Sequence, residues 1–248
     1  MLRELFQVDE TAITIIAEEQ EYSEVAKRAI LRARAELEKF IFQAKLFAIT
    51  LEPYHCNEEA PEIVKRMCEE SSKFGIGPMS AVAGAIAQVA LEAMLEKGAE
   101  HAIVDNGGDI AMALKKPANV GIYAGESKIK NLALKIMPEM TPLGICTSSA
   151  TIGHSISFGK ADASVVVANN AILADSAATA LGNAVRSEEE IEKSFEVVKN
   201  IDGIIGALVI VNDKLGLWGE LPEIIKADAK FEVITKGRKF KFPTRQEF

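Results

Sequence analysis

Three short segments of the 248-residue chain carry side chains with chemical potential. The first, Asp105-Asn106-Gly107-Gly108-Asp109, lies between two apolar runs. Asn-Gly is a strong hairpin signal because both residues tolerate positive φ, and a plain turn accounts for Asn106, Gly107 and Gly108. It does not account for a second glycine flanked by acids, a shape in which bare N–H groups line a concave site beside the carboxylate of Asp109. The second segment, Cys146 to Ser155, follows an expected strand end, where ligand sites on mixed α/β sheets concentrate. The hydroxyls of Thr147, Ser148 and Ser149 suit a phosphate or the edge of a heterocycle, although Ser/Thr-rich stretches also serve as plain loops. His154 in this segment and Asp162 beyond it are candidate proton-transfer groups; the GxSxG elbow of a serine hydrolase is absent. In the third segment, Asp175 and Thr179 are four apart and share one helix face. A carboxylate and a hydroxyl so placed can hold a hard cation such as Mg²⁺, which keeps water or substrate phosphate among its ligands. Equally, Asp175 can serve the positive end of its helix and Thr179 can bond back to a carbonyl. His55 and His101 have no patterned company and read as surface or satisfied structural histidines.

The surrounding composition is that of a soluble globular protein: 48% apolar, 26% charged, with 28 Lys+Arg against 36 Asp+Glu for a net charge of −8. That balance argues against nucleic acid as partner, since phosphate tracking rests on clustered Lys and Arg. Cys56, Cys68 and Cys146 form no CxxC pair and read as reduced thiols. Met1 to Phe6 lacks the pattern of a signal peptide. The least polar stretch, Gly203 to Val211, is short of the roughly 20 residues a membrane span needs. The expectation is a cytoplasmic protein with a small-molecule ligand and no membrane partner.

The elements that must position these segments follow from periodicity. Thr11 to Ala17 alternates as a strand, and Ala26, Ile30, Ala33, Leu37 and Phe40 recur at helical spacing to about Gln43, with Lys27, Arg28 and Arg34 on the wet side. A helix is expected from Pro61 to near Gly75, and another from Gly77-Pro78-Met79-Ser80 to Gly98. The second has an almost bare face of Ala81, Ala83, Gly84, Ala85 and Ala87, suited to close packing on a sheet, to a ligand, or to a second subunit. Short strands are expected at Ala102 to Val104, Ile110 to Leu114, Val120 to Tyr123, Leu132 to Met137 and Leu143 to Cys146. Ala163 to Val167, apolar throughout, reads as a strand buried on both faces and leads to a helix from Ala171 to Val185. Ser187 with Glu190 marks a capping box for a helix to Val198; Ile204 to Val211 and Leu215 to Trp218 form a hairpin; Phe231 to Thr235 is a late strand.

Taken together and in this order, Gly77 to Gln88, Asn106 to Asp109, Thr147 to Ser149 and Ala174 to Ala180 resemble the motifs of the ApbE-like superfamily, whose enzymes are Mg²⁺-dependent FAD:protein FMN transferases. Gly77-Pro78-Met79, Asp105-Asn106-Gly107-Gly108-Asp109, Gly153-His154-Ser155 and Ala161-Asp162-Ala163 resemble more closely an uncharacterised, mainly prokaryotic branch that brings no known substrate with it. The resemblance implies an α+β fold of two closely associated lobes with mixed or antiparallel sheets and the site between them. Because the motifs interleave, residues 1–248 would form a single domain. It also implies Mg²⁺ at Asp175 and Thr179 with a backbone carbonyl near Ala81 or Val82, and a flavin or other nucleotide held by Asn106, Gly107, Gly108, Asp109, Thr147, Ser148 and Ser149. His154 and Asp162 would move protons in phosphate-group transfer or hydrolysis. The chain departs from the transferases at Val82-Ala83-Gly84, where they carry Ala-Lys-Gly, and at Gln88, where they carry an acid. Their His…Asp-Pro-x-Thr-Gly stretch has no counterpart between Ser149 and Ala174. A non-catalytic binding module and an assembly protein, homo-oligomeric through the face at Gly84, are the alternative expectations.

Overall fold

The structure is a computed structural model and describes residues 1–9, 11–149 and 159–226. In chain order its elements are β1 (Leu2–Val8), β2 (Thr11–Ala17), α1 (Gln20–Gln43), α2 (Lys45–Ile49), α3 (Glu62–Ser72), a 3₁₀ turn (Pro78–Ala81) and α4 (Val82–Glu96). There follow β3 (Ala102–Asn106), β4 (Asp109–Ala113), β5 (Ala118–Ile122), β6 (Leu132–Ile136), β7 (Leu143–Ser148) and β8 (Ala163–Ala168). The last are α5 (Ala171–Ala184), α6 (Ile191–Ser194), β9 (Ile204–Val211), β10 (Lys214–Gly219) and β11 (Glu223–Lys226).

Eight strands form one antiparallel sheet in the order β1-β2-β3-β4-β7-β8-β9-β10, and three form a second in the order β11-β6-β5. Strand alternation decides which side chain joins which core. Ala111, Cys146, Val166, Ala207 and Val209 point into a core shared with α1, α3, α4 and α5. Their neighbours Met112, Ile145, Val165, Leu208 and Ile210 point into a second core beneath the small sheet, with Ile122, Leu134 and Ile136. The large sheet is therefore covered on both faces, which is why β8 is apolar along its whole length.

The α1 helix buries Ser23, Ala26, Ile30, Ala33 and Leu37 as the periodicity requires. Lys27 and Arg34, expected in water, instead reach back to the first hairpin: Lys27 pairs with Glu4, and Arg34 with Asp9 at 3.0 Å. That hairpin contains β1, a strand absent from the expected elements. It is an edge strand whose residues alternate between half-buried and exposed, so polar Arg3, Glu4 and Gln7 dilute its apolar pattern. Phe47, within an apolar stretch of unassigned structure, is fully buried on α2 between the edge-on rings of Phe40 and Tyr54.

Three further expectations are corrected. Cys56 and Cys68 are joined in a disulfide with Cα atoms 6.7 Å apart, leaving Cys146 as the free thiol. The pairing ties the chain before α3 to the helix and leaves no CxxC trace. The expected helix to Val198 is broken into 3₁₀ turns around the four-residue α6. Ser187 makes no capping bond and meets the Glu189 carboxylate instead. Finally, Pro78–Glu96 is longer than the stretch at Gly203 to Val211 and passes the length and composition of a membrane span; more than half of it is buried inside the fold. The late strand at Phe231 to Thr235 lies outside the described residues.

The bare face of α4 packs within the chain. A Cβ on Gly84 would lie 2.2 Å from the Ala171 carbonyl oxygen and 2.8 Å from Asp175 Cβ. A Cβ on Gly144 would stand 2.4 Å from Ala171 N and Cα. Gly84 is thus buried against α5, and the subunit interface expected there is overturned. Gly84→Ala is expected to lower stability by about 1–3 kcal/mol through overpacking. Gly121→Ala, with nothing within 4 Å, serves as the near-neutral comparison in urea denaturation.

Candidate functional site

The site is built where α4, α5, the β3–β4 turn and β7 meet. Asn106 and Asp109 are paired across that turn, with Gly107 at φ 71 and Gly108 at φ 106. Positive φ at both positions explains the two glycines. The Asp105 carboxylate accepts from Gly108 N at 2.9 Å, and Asn106 Nδ2 donates to the Ala83 carbonyl at 3.1 Å. The turn is thereby clamped to the first turn of α4.

That first turn lacks a side-chain cap of its own, because its capping position is Ala81. A helix start leaves four N–H groups unpaired, and Ser, Thr, Asp or Asn normally satisfies some of them. Here the oxygen comes from another helix: Asp175 Oδ2 accepts from Gly84 N at 2.8 Å, and its carboxylate also meets the Ala83 N–H. The expectation that Asp175 serves a helix end holds in altered form. It serves a positive helix end, but that of α4.

Asp109 lies beside Asp175. Burial pushes its carboxyl up to about 7, reinforced by the charge of Asp105 and opposed by the Cys146 thiol and the Thr147 N–H. Asp175 is raised well above the ordinary carboxylate range, first by burial and next by the charge of Asp109, with the Gly84 and Ala83 N–H groups opposing. The Cys146 thiol, raised by burial and then by these two carboxylates, stays neutral and lies 3.3 Å from the Ala171 carbonyl it donates to. Two enclosed carboxylates that repel each other form a hard-oxygen set that a proton or a divalent cation would satisfy.

Thr179 is half-buried one turn beyond Asp175, and Gly182 continues the same face. The Ser164 and Ser148 hydroxyls lie 3.4 and 3.5 Å from the point where a Gly182 Cβ would stand. Ser164 and Ser176 hydroxyls are buried without a hydrogen-bond partner among the described residues. A polar seam thus runs from Asp109 and Asp175 past Thr179 to Ser148 and Ser164. Cys146, Ser164 and Gly182 were missed in the sequence reading. Extending the 175/179 spacing to 182, and stepping back two residues from Ser148 on its strand, were the signals available.

Thr147, Ser148 and Ser149 are half-buried along and just after the end of β7. Asp162 stands at the same end of the sheet, but its Oδ2 accepts from Asn212 N at 2.7 Å and so holds the β9–β10 turn. His154 lies outside the described residues. Of the two histidines read as structural or surface, His101 is buried with Nδ1 accepting from Lys115 N, and His55 is exposed. Among the described residues no three His, Cys, Asp or Glu side chains converge as a metal site. Mg²⁺ held by Asp175 and Thr179 would therefore also draw on carbonyl, water or ligand oxygens, which its coordination preference accepts.

The carboxylate pair sets the pH dependence of the metal-free protein. Asp109 folded titrates at about 7, above its unfolded value, so between those limits the folded state holds a proton that the unfolded state has lost. Stability is therefore greatest below about pH 4 from this group and falls as pH rises toward 7, by on the order of 4 kcal/mol. Asp109→Asn should flatten that decline in urea midpoints taken with a chelator from pH 5 to 8; an unchanged slope would contradict it.

The family model described as AbpE bacteria matches residues 3–216 of the chain. A UPF0280 protein of Methanothrix thermoacetophila is 53% identical over 238 residues, covering 96% of this chain and all of that one. The fold is similar to that of the flavin transferase ApbE from Vibrio cholerae, with TM-score 0.60 and 12% identity over 88% of this chain and 96% of that chain. It is also similar to the apo flavinyl transferase ApbE of Pseudomonas stutzeri, with TM-score 0.58 and 14% identity over 95% and 98%. At such identities the likeness is one of fold.

Proposed function

The chain belongs to the AbpE bacteria family, and from that premise we propose that it binds a phosphate-bearing small molecule, a flavin or another nucleotide, at the sheet end between α4 and α5. The observation that carries this reading is the enclosed Asp109–Asp175 pair opening onto the hydroxyl seam of Thr179, Ser148 and Ser164. The likeness in fold to two flavin transferases supports the ligand class.

In this reading Asp175 and Thr179 hold Mg²⁺, which when bound offsets charge on a phosphoryl oxygen. Asp109 adds a second carboxylate beside it. The half-buried Ser148 and Ser149 then orient the ligand, while Thr147, whose side chain takes the opposite face of β7, contributes its N–H beside Asp109; among the described residues nothing lies within 4 Å of where a Cβ on Gly107 or Gly108 would stand. Phosphate-group transfer or hydrolysis is the matching reaction class. A non-catalytic binding module is the second reading, favoured by Asp162: its carboxylate holds a turn N–H and is committed to structure.

Isothermal titration of FAD, FMN and ATP, each with and without Mg²⁺, tests the proposal. The expected result is Mg²⁺-dependent binding of at least one ligand, weakened about tenfold or more (~1.4 kcal/mol) in Asp175→Asn and in Thr179→Val. Absence of binding to all three, or affinity unchanged in both variants, would remove it. Turnover of the bound ligand separates the catalytic reading from the binding module.

A further inference from the structure

Gln88 has no place in the ligand site, yet it is buried on α4 and both ends of its amide are engaged. Its Oε1 accepts from Ala171 N, the first N–H of α5, at 2.9 Å. Its Nε2 donates to Glu92 Oε1 at 2.9 Å. Glu92 is gripped in turn by both terminal nitrogens of Arg66 on α3, each at 2.7 Å. The two helices consequently exchange caps: α5 supplies Asp175 to the start of α4, and α4 supplies Gln88 to the start of α5.

We propose that Gln88 is the positioning residue for Asp175, fixing the depth and rotation of α5 so that the carboxylate meets the α4 start and the ligand seam. Asp175 lies one turn beyond Ala171, so a small axial or rotational slip at Ala171 is passed directly to the carboxylate. Glycine at 84 and 144 keeps α5 close but gives no direction; a hydrogen bond to one defined N–H does. The amide chemistry matters as well. An amide can accept from Ala171 N and donate to Glu92 at once, whereas a carboxylate has no proton to donate to Glu92. Arg66 fixes the Glu92 end in a bidentate pair, so the amide is oriented from both sides.

The inference rests on the proposed function for its consequence in ligand binding, but positioning is measured without a ligand. Amide hydrogen exchange by NMR at Gly84 and Ala83, which Asp175 protects, reads where that carboxylate sits. In Gln88→Leu, exchange at Gly84 should accelerate about tenfold. In Gln88→Glu, whose carboxylate still accepts from Ala171 N but can no longer donate to Glu92, the acceleration should be smaller than in Gln88→Leu yet distinct from the parent. Val64→Ala in the core contact of α3 gives a destabilised comparison, in which Gly84 protection relative to neighbouring α4 amides should be unchanged.

Mg²⁺-dependent titration of FAD, FMN and ATP is then run on the same proteins below their melting temperatures. The expected result is about tenfold weaker binding in Gln88→Leu and a smaller loss in Gln88→Glu. Unchanged Gly84 exchange in Gln88→Leu would overturn the positioning role. Accelerated exchange in a protein whose parent binds none of the ligands would uphold positioning while removing the proposed function. Equal loss in Val64→Ala would reduce Gln88 to a general contributor to stability and overturn the inference.

Discussion

The seating of one residue, Ala171, constrains most of what surrounds the site. Its N–H is taken by Gln88 of α4, its carbonyl by the Cys146 thiol of β7, and its Cα and carbonyl press against positions where Gly84 and Gly144 carry no side chain. Each hydrogen bond contributes about 1 kcal/mol on its own. What makes the arrangement decisive is geometry: a helix held at its first residue by a strand and a helix at once has one depth and one rotation. Asp175 follows from that, because it lies on the next turn and must land on the start of α4.

The same constraint explains why two carboxylates can be enclosed together. Burying an unpaired charge is costly, and repulsion between Asp109 and Asp175 adds to the cost. The fold offsets this with the Ala83 and Gly84 N–H groups on one carboxylate and the Thr147 N–H on the other. Among the described residues no Lys or Arg neutralises either one. A pair kept partly protonated by its surroundings is poised to exchange that proton for a cation, which links the packing of α5 to the proposed chemistry.

Much of the scaffold was legible because period and burial agree. The 3.6-residue pattern of α1, the unbroken apolar run of β8 and the Asn106-Gly107 turn each have one physical solution in this context. The helix that carries Asp175 and Thr179 was legible from its small apolar residues. What escaped was tertiary. Nothing local says that Asp175 caps a helix 91 residues away, or that Gln88 returns the favour across 83. The Cys56–Cys68 bridge and the edge strand β1 escaped for the same reason, since a partner across space, not a local pattern, defines each. Asp162 shows the converse: a carboxylate with a catalytic look in sequence is used to hold the turn at Asn212.

The central claim is that the seam beside α5 receives a phosphate-bearing ligand through a cation on Asp175 and Thr179. A crystal structure of the protein grown with FAD or ATP and Mn²⁺, read by anomalous scattering, tests it most directly. The account predicts a manganese peak bonded to oxygens of Asp175 and Thr179, with the ligand's phosphates on the side of Ser148. A peak or ligand confined to another surface, such as the groove between α1 and α3 lined by Arg32, Glu36 and Arg66, would contradict it.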